Sequence, residues 1–162
     1  MARFTPVPAR LKKKYKFDLE RIYAEDKTFE LDQAKARRLA KKLAKKEGTL
    51  KRSAKDLLET LRLSERLSKL HMRLHIFAML KFSTNIRENR QLSEMERLGS
   101  ELGAAGAFIE SEILELGAKK VRSYIKKEKG LAPFAFSLES ILRSEDHSLS
   151  KEEERVLCAL SP

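Results

Sequence analysis

The sequence predicts an all-α fold, and three observations carry that prediction. Apolar residues recur at spacings of three and four over long stretches; only 4 prolines and 6 glycines interrupt the 162 residues; and charged residues make up 36% of the chain, a composition that suits amphipathic helices with solvated outer faces. The expected architecture is a helical bundle or lobe of two or three long antiparallel helices followed by shorter C-terminal helices. No segment reads as a strand. With 41% hydrophobic residues the chain has enough apolar side chains for a core of its own, so residues 17–162 are expected to form a single domain behind a basic N-terminal arm, residues 1–16.

The elements follow in order. Pro6, Pro8 and the run Lys12-Lys13-Lys14 mark the arm as extended. Phe17 to Tyr23 allows at most two helical turns, with Phe17 and Tyr23 placed to anchor the arm by aromatic burial. A first helix is expected from about 28 to 46, with Leu31, Ala34, Leu39 and Leu43 as a thin apolar stripe among lysines and arginines. Gly48 is its stop signal, since glycine accepts a left-handed backbone without a Cβ clash. A second helix should open at Ser53, whose hydroxyl can cap the first turn with Asp56 three residues on. Leu57, Leu61, Ser64, Leu67, Leu70, Leu74, Phe77 and Met79/Leu80 carry its periodicity to about residue 83, and Asn85 offers the break. A third helix is expected over 88–116, its apolar face running from Leu92 to Leu116. Gly99, Gly103 and Gly106 form a bare stripe beside that face. Glycine in a helix costs about 1 kcal/mol against alanine, so the stripe predicts a close neighbouring helix and an overpacked, destabilised Gly103→Leu variant. Helices over 118–128, 132–144 and 150–160 complete the reading. Pro133 suits a first turn, and Ser150-Lys151-Glu152-Glu153 has the form of a capping box.

Charge is unevenly placed. Of the formal +11, residues 1–52 hold 17 Lys and Arg against 7 Asp and Glu, a net of +10. Such a field attracts polyanions or an acidic partner, so nucleic acid is a possible partner of residues 1–52. No apolar run approaches the ~18 residues a membrane span needs, and no secretory leader is visible. The single Cys158 can form no internal disulfide and agrees with a reducing compartment. A cytoplasmic protein is expected.

The sequence shows no catalytic constellation. His71 and His75 lie four apart, on one helix face, but Met72 stands where a zinc-peptidase helix requires its general-base glutamate. His147 is remote in sequence. Cys158 has no evident histidine partner, and pairs such as Glu110 with Glu112, or Glu152-Glu153-Glu154, read as solvated helix charges. The glycines lie within a helical pattern, not in a phosphate loop, and no aromatic residues interleave with the basic ones as a base-stacking surface would need. No catalytic, cofactor-binding or metal-ligating residue is expected in this chain.

Four phrases carry a resemblance more specific than periodicity. Phe17-Asp18-Leu19-Glu20-Arg21-Ile22-Tyr23 is similar to an aromatic-Asp-Leu-x-x-Ile-Tyr phrase of the oligoendopeptidase F family, where tryptophan usually leads. Ser53-Ala54-Lys55-Asp56-Leu57-Leu58, after the glycine link, resembles the start of that family's second helix. Phe108-Ile109-Glu110-Ser111-Glu112-Ile113-Leu114 resembles a Phe-Ile-x-Pro-Glu-Ile-Leu phrase with Ser111 in place of proline. Arg143 to Glu154 resembles Arg-x-x-x-His-x-Leu-Ser-x-x-Glu-Glu, through Arg143, His147, Leu149, Ser150, Glu153 and Glu154. The four occur in the family's order and span nearly the whole chain. The resemblance implies the helical N-terminal region of an intracellular zinc metallopeptidase, packed on a catalytic domain and walling part of the peptide channel. Zinc and the His-Glu-x-x-His helix are then expected only in that separate catalytic domain. The chain reads as the front of such an enzyme, as a truncated product, or as one half of a split enzyme. A lobe without its catalytic domain is further expected to expose apolar surface and to self-associate.

Overall fold

A computed structural model describes residues 18–84 and 89–144, and the described residues are helical. A short 3-10 turn, Leu19–Arg21, precedes α1 (Asp26–Ala44). Then come α2 (Ala54–Thr84), α3 (Arg90–Gly106) and α4 (Phe108–Lys127). A 3-10 run, Lys129–Phe134, leads into α5 (Ala135–Ser144). The expected arm over 1–16, Phe17, the break at Asn85, His147, the capping box at Ser150, the helix over 150–160 and Cys158 lie outside the described residues. The described residues fall into two compact units. One is built from 18–46, 62–84 and 89–107; the other from 47–61 and 108–144.

In the first unit α1 packs on α3, and ion pairs Asp26–Lys81 at 3.1 Å and Asp32–Arg73 tie α1 to α2 in antiparallel order. The core draws Phe29, Ala36, Leu39, Ala40 and Leu43 from α1, Leu67, Leu74, Phe77 and Ala78 from α2, and Met95 and Leu98 from α3. Tyr23, Phe29 and Phe77 form a three-ring cluster, with edge-on contacts of 5.4 and 5.2 Å between centroids at Tyr23, a geometry aromatic quadrupoles favour.

Of the stripe expected on α1, Leu39 and Leu43 are buried as expected, but Leu31 is 60% exposed and Ala34 is also exposed. Phe29, Gln33, Ala36 and Ala40 complete the buried face, the series 29, 33, 36, 40 and 43 being spaced four, three, four and three as one helix face requires. On α2 the expected Leu57, Leu67, Leu74 and Phe77 are all buried.

In the second unit Leu50, Leu57, Leu58, Ile113, Val121, Tyr124, Leu131, Leu138 and Leu142 make one cluster. The Ser53 cap forms as expected: its Oγ accepts the Asp56 N–H at 3.0 Å and donates to the Asp56 carboxylate at 2.6 Å. The helix expected over 88–116 is interrupted at Ala107, whose N–H bonds back only three residues, to Ala104. The sequence boundary at 116/118 is real in another sense. Gly117, at φ 72° and ψ 156°, interrupts α4 there with a backbone that only glycine adopts readily. Pro133 sits in the 3-10 run and not in the first turn of an α-helix over 132–144; α5 starts after it.

Candidate functional site

Two clusters of interacting polar side chains stand out among the described residues, one in each unit. In the first unit, α1 presents Asp32 and α2 presents Arg73 toward Tyr23. The Tyr23 hydroxyl donates to Asp32 Oδ2 at 2.9 Å and accepts from Arg73 Nε at 2.9 Å. Arg73 Nη2 also donates to Asp32, while its guanidinium carbon lies 4.6 Å from the Tyr23 ring centroid. Burial raises the Tyr23 phenol above its ordinary value near 10, and the Arg73 hydrogen bond pulls the other way. The same hydrogen bond raises the Arg73 guanidinium. This cluster fixes Tyr23, itself only 4% exposed, against α1 and α2. Its three members bond one another, which suits a structural clasp.

In the second unit, Glu112 on α4 is 9% exposed and reaches the turn at 48–50. Its carboxylate accepts the Gly48 N–H through one oxygen and the Leu50 N–H at 3.2 Å through the other. Gly48 adopts φ 75° there, so the left-handed residue expected to stop the first helix shapes a turn that a carboxylate grips. Tyr124 adds a hydroxyl bond to the Lys51 carbonyl at 3.0 Å. Expectation fails at this point: Glu112 is not a solvated helix charge, although its partner in that reading, Glu110, is exposed. A groove of about 290 Å³ beside it is lined by Glu47, Gly48, Lys51, Phe108, Ser111, Glu112 and Glu115. Glu112 is committed to backbone donors, so it is not a free acid or base for that groove. Elsewhere in this unit Arg122 forks onto Glu139 at 2.8 and 2.9 Å, and this partner lowers the half-buried Glu139 carboxyl.

The histidine pair lies in the first unit. His71 Nε2 is 3.1 Å from the Met95 carbonyl oxygen and donates to it in the Nε2-protonated tautomer. The two rings are 5.9 Å apart between centroids, and His75 Nδ1 is buried without a partner among the described residues. No three His, Cys, Asp or Glu converge among the described residues. Two imidazoles, one engaged with a backbone carbonyl, do not fit zinc, which takes at least three protein ligands. In the glycine stripe, Gly99 meets a close neighbour: a Cβ there would lie 3.1 Å from the His71 ring. Gly103 is exposed, with no described atom within 4 Å of a Cβ position. The overpacking expected of Gly103→Leu therefore has no neighbour to act against.

Comparison with known proteins gives this helical arrangement a relationship. The profile of the M3 peptidase N-terminal family described as Oligopeptidase F matches residues 112–162. The Oligopeptidase PepF of Bacillus subtilis (strain 168) is 24% identical over 146 residues, 88% of this chain and 22% of that protein. The Group B oligopeptidase PepB of Streptococcus agalactiae serotype III (strain NEM316) is 22% identical over 156 residues, 94% of this chain and 26% of that protein. At the level of family, the chain matches oligopeptidase F. It spans about a quarter of the length of these curated relatives. No solved structure matches it.

The oligopeptidase F profile begins at Glu112, the residue that grips the 48–50 turn. The first two phrases of the resemblance lie before the profile match. Within them Tyr23 is a buried anchor and Ser53 a helix cap. Among the described residues no helix is long and apolar enough to cross a membrane. Sequence reasoning missed Asp32, Arg73 and the role of Glu112. Glu112 did carry one signal, its place beside Ile113 within the apolar series of α4.

Proposed function

We propose that this chain is the non-catalytic N-terminal domain of an oligopeptidase F-like metallopeptidase, residues 17–162 acting together, which packs on a catalytic domain and helps wall the peptide channel. The observation that supports the reading most is the match to the N-terminal family profile, joined to relatives called oligopeptidases over about a quarter of their length. On this reading the remaining three quarters of such a protein supplies the zinc site and the chemistry, and the work is done in the cytoplasm.

A surface on α2 agrees with such packing. Met72, Ile76 and Met79 are 59%, 37% and 41% exposed and recur at i, i+4 and i+7, so they form one apolar stripe on the side of α2 opposite Leu67 and Leu74. Single exposed apolar residues are ordinary, but an aligned stripe marks a surface made to be covered. The proposed cover is the catalytic domain; without it, the stripe gives a route to self-association. The test is peptidase activity of the purified chain on a quenched fluorescent peptide. The reading expects none, and robust cleavage abolished by a chelator overturns it. A second reading, a stand-alone basic helical adaptor or nucleic-acid-binding protein, draws on the +10 in residues 1–52. The basic groove of the first unit offers it no aromatic side chain for stacking bases.

A further inference from the structure

Lys35 of α1 and Arg66, Lys69 and Arg73 of α2 line one groove of about 300 Å³ in the first unit, with the half-buried Leu70 as its apolar part. Two of these cations are compensated. Lys69 holds Glu65 at 2.6 Å, and Arg73 holds Asp32. Lys35 and Arg66 have no acidic partner within 4 Å among the described residues. Helical spacing lengthens both walls: Arg38 and Lys42 follow Lys35 by three and seven residues, and Arg62 precedes Arg66 by four; all three are exposed. The row from Arg62 to Arg73 is about 16 Å long at 1.5 Å per residue. Two uncompensated cations facing each other across a groove repel, and an anion between them relieves that repulsion.

We propose that this groove binds an acidic peptide segment in extended form, with side-chain carboxylates seated between Lys35 and Arg66. Alternate side chains of an extended chain recur about every 6.6 Å, near the ~6 Å rise between cations four apart on α2. Arginine offers a planar fork that takes a carboxylate through two bonds. Leu70 gives apolar contact to the methylenes of glutamate. The choice of peptide over nucleic acid follows from the groove's lining, which holds no aromatic side chain, and rests on the peptidase-related reading above.

The test is fluorescence anisotropy on the full 162-residue chain at about 150 mM salt. Its probes are a labelled, C-terminally amidated hepta-glutamate, the matching hepta-glutamine and a seven-nucleotide oligo-uridine. The proposal expects the glutamate peptide to bind at least about tenfold tighter than either of the others, and Lys35→Glu/Arg66→Glu to lose at least about tenfold. Lys119→Glu/Lys126→Glu, the same charge change on exposed positions of α4, should leave binding within about threefold. Lys35→Gln/Arg66→Gln, checked for an unchanged helical melt, repeats the test without charge reversal. Equal losses in the α4 control, no preference for glutamate over glutamine, or tighter binding of the oligo-uridine overturns the proposal. That failure would leave the peptidase-domain reading standing, because packing on a catalytic domain is measured separately.

Discussion

Replacing Glu112 should weaken the second unit more than any other single charged residue on α4. The carboxylate is 9% exposed and accepts two backbone N–H groups, from Gly48 and Leu50, some sixty residues away in sequence. Hydrogen bonds to a charged group contribute about 1.5–3 kcal/mol each, and an orphaned buried donor costs about 1–3 kcal/mol. In Glu112→Gln the amide oxygen can keep one of the two donors, but the amide nitrogen turns a donor toward the other. One backbone N–H is then unsatisfied, for a loss of about 1–3 kcal/mol. Glu112→Ala frees both donors and leaves a void, for about 3–5 kcal/mol. Glu110→Gln, on the exposed side of the same turn of helix, should stay within about 0.5 kcal/mol. Urea unfolding followed by far-ultraviolet circular dichroism gives the stabilities, and hydrogen exchange reports the Gly48 and Leu50 amides directly. If Glu112→Gln unfolds like Glu110→Gln, or if those two amides exchange at unprotected rates in the wild type, the reasoning is refuted.

Two more predictions follow from the first unit. Gly103→Ala, with open space around it, should stabilise by up to about 1 kcal/mol. Gly99→Ala gains the same helix propensity, but its methyl meets the His71 ring at 3.1 Å, a ring held by the Met95 carbonyl, so it should be less stable than Gly103→Ala by about 1 kcal/mol. Thermal melts should rank Gly103→Ala above Gly99→Ala, and equal melts would contradict the contact. The Tyr23 phenol is raised in the folded chain, so the fold binds that proton more tightly than the unfolded chain does. This contribution is full below about pH 10 and is lost as pH rises through the folded value. Stability measured from pH 9 upward should fall less steeply in Tyr23→Phe than in the wild type, and identical slopes would contradict the assignment.

Much of the fold is legible because local chemistry decides it. Ser53 caps α2 with a bond its own first turn supplies, and Leu57, Leu67, Leu74 and Phe77 repeat at a spacing no strand would share. Gly117 marks a real interruption because its backbone conformation excludes other residues. The face of α1 was harder to read. Gln33 occupies a buried position, so the series Phe29, Gln33, Ala36, Ala40, Leu43 looks broken in sequence, while exposed Leu31 and Ala34 invite inclusion. The interruption at Ala107 follows directly on Gly106, the last residue of α3, which the sequence pattern places in a packing stripe and not at a helix end. The polar clusters lie beyond local reading altogether. Asp32 and Arg73 are 41 residues apart, and Glu112 and Gly48 are 64 apart. Only the tertiary fold tells a gripping carboxylate from a solvated one. Of these four residues only Glu112 falls within a phrase that resembles oligoendopeptidase F, at the glutamate of Phe108-Ile109-Glu110-Ser111-Glu112-Ile113-Leu114.

The measurement that tests the central claim most directly is capture of binding partners by the tagged 162-residue chain from an extract of its own cells at physiological salt, with bound protein and nucleic acid both identified. The account predicts a polypeptide bearing a His-Glu-x-x-His zinc-peptidase helix, retained by the wild type and lost from Met72→Glu/Ile76→Glu, two exposed positions whose change should leave the fold intact. Recovery of RNA or ribosomes in its place, released by moderate salt, would contradict it and make this helical chain a basic binding protein.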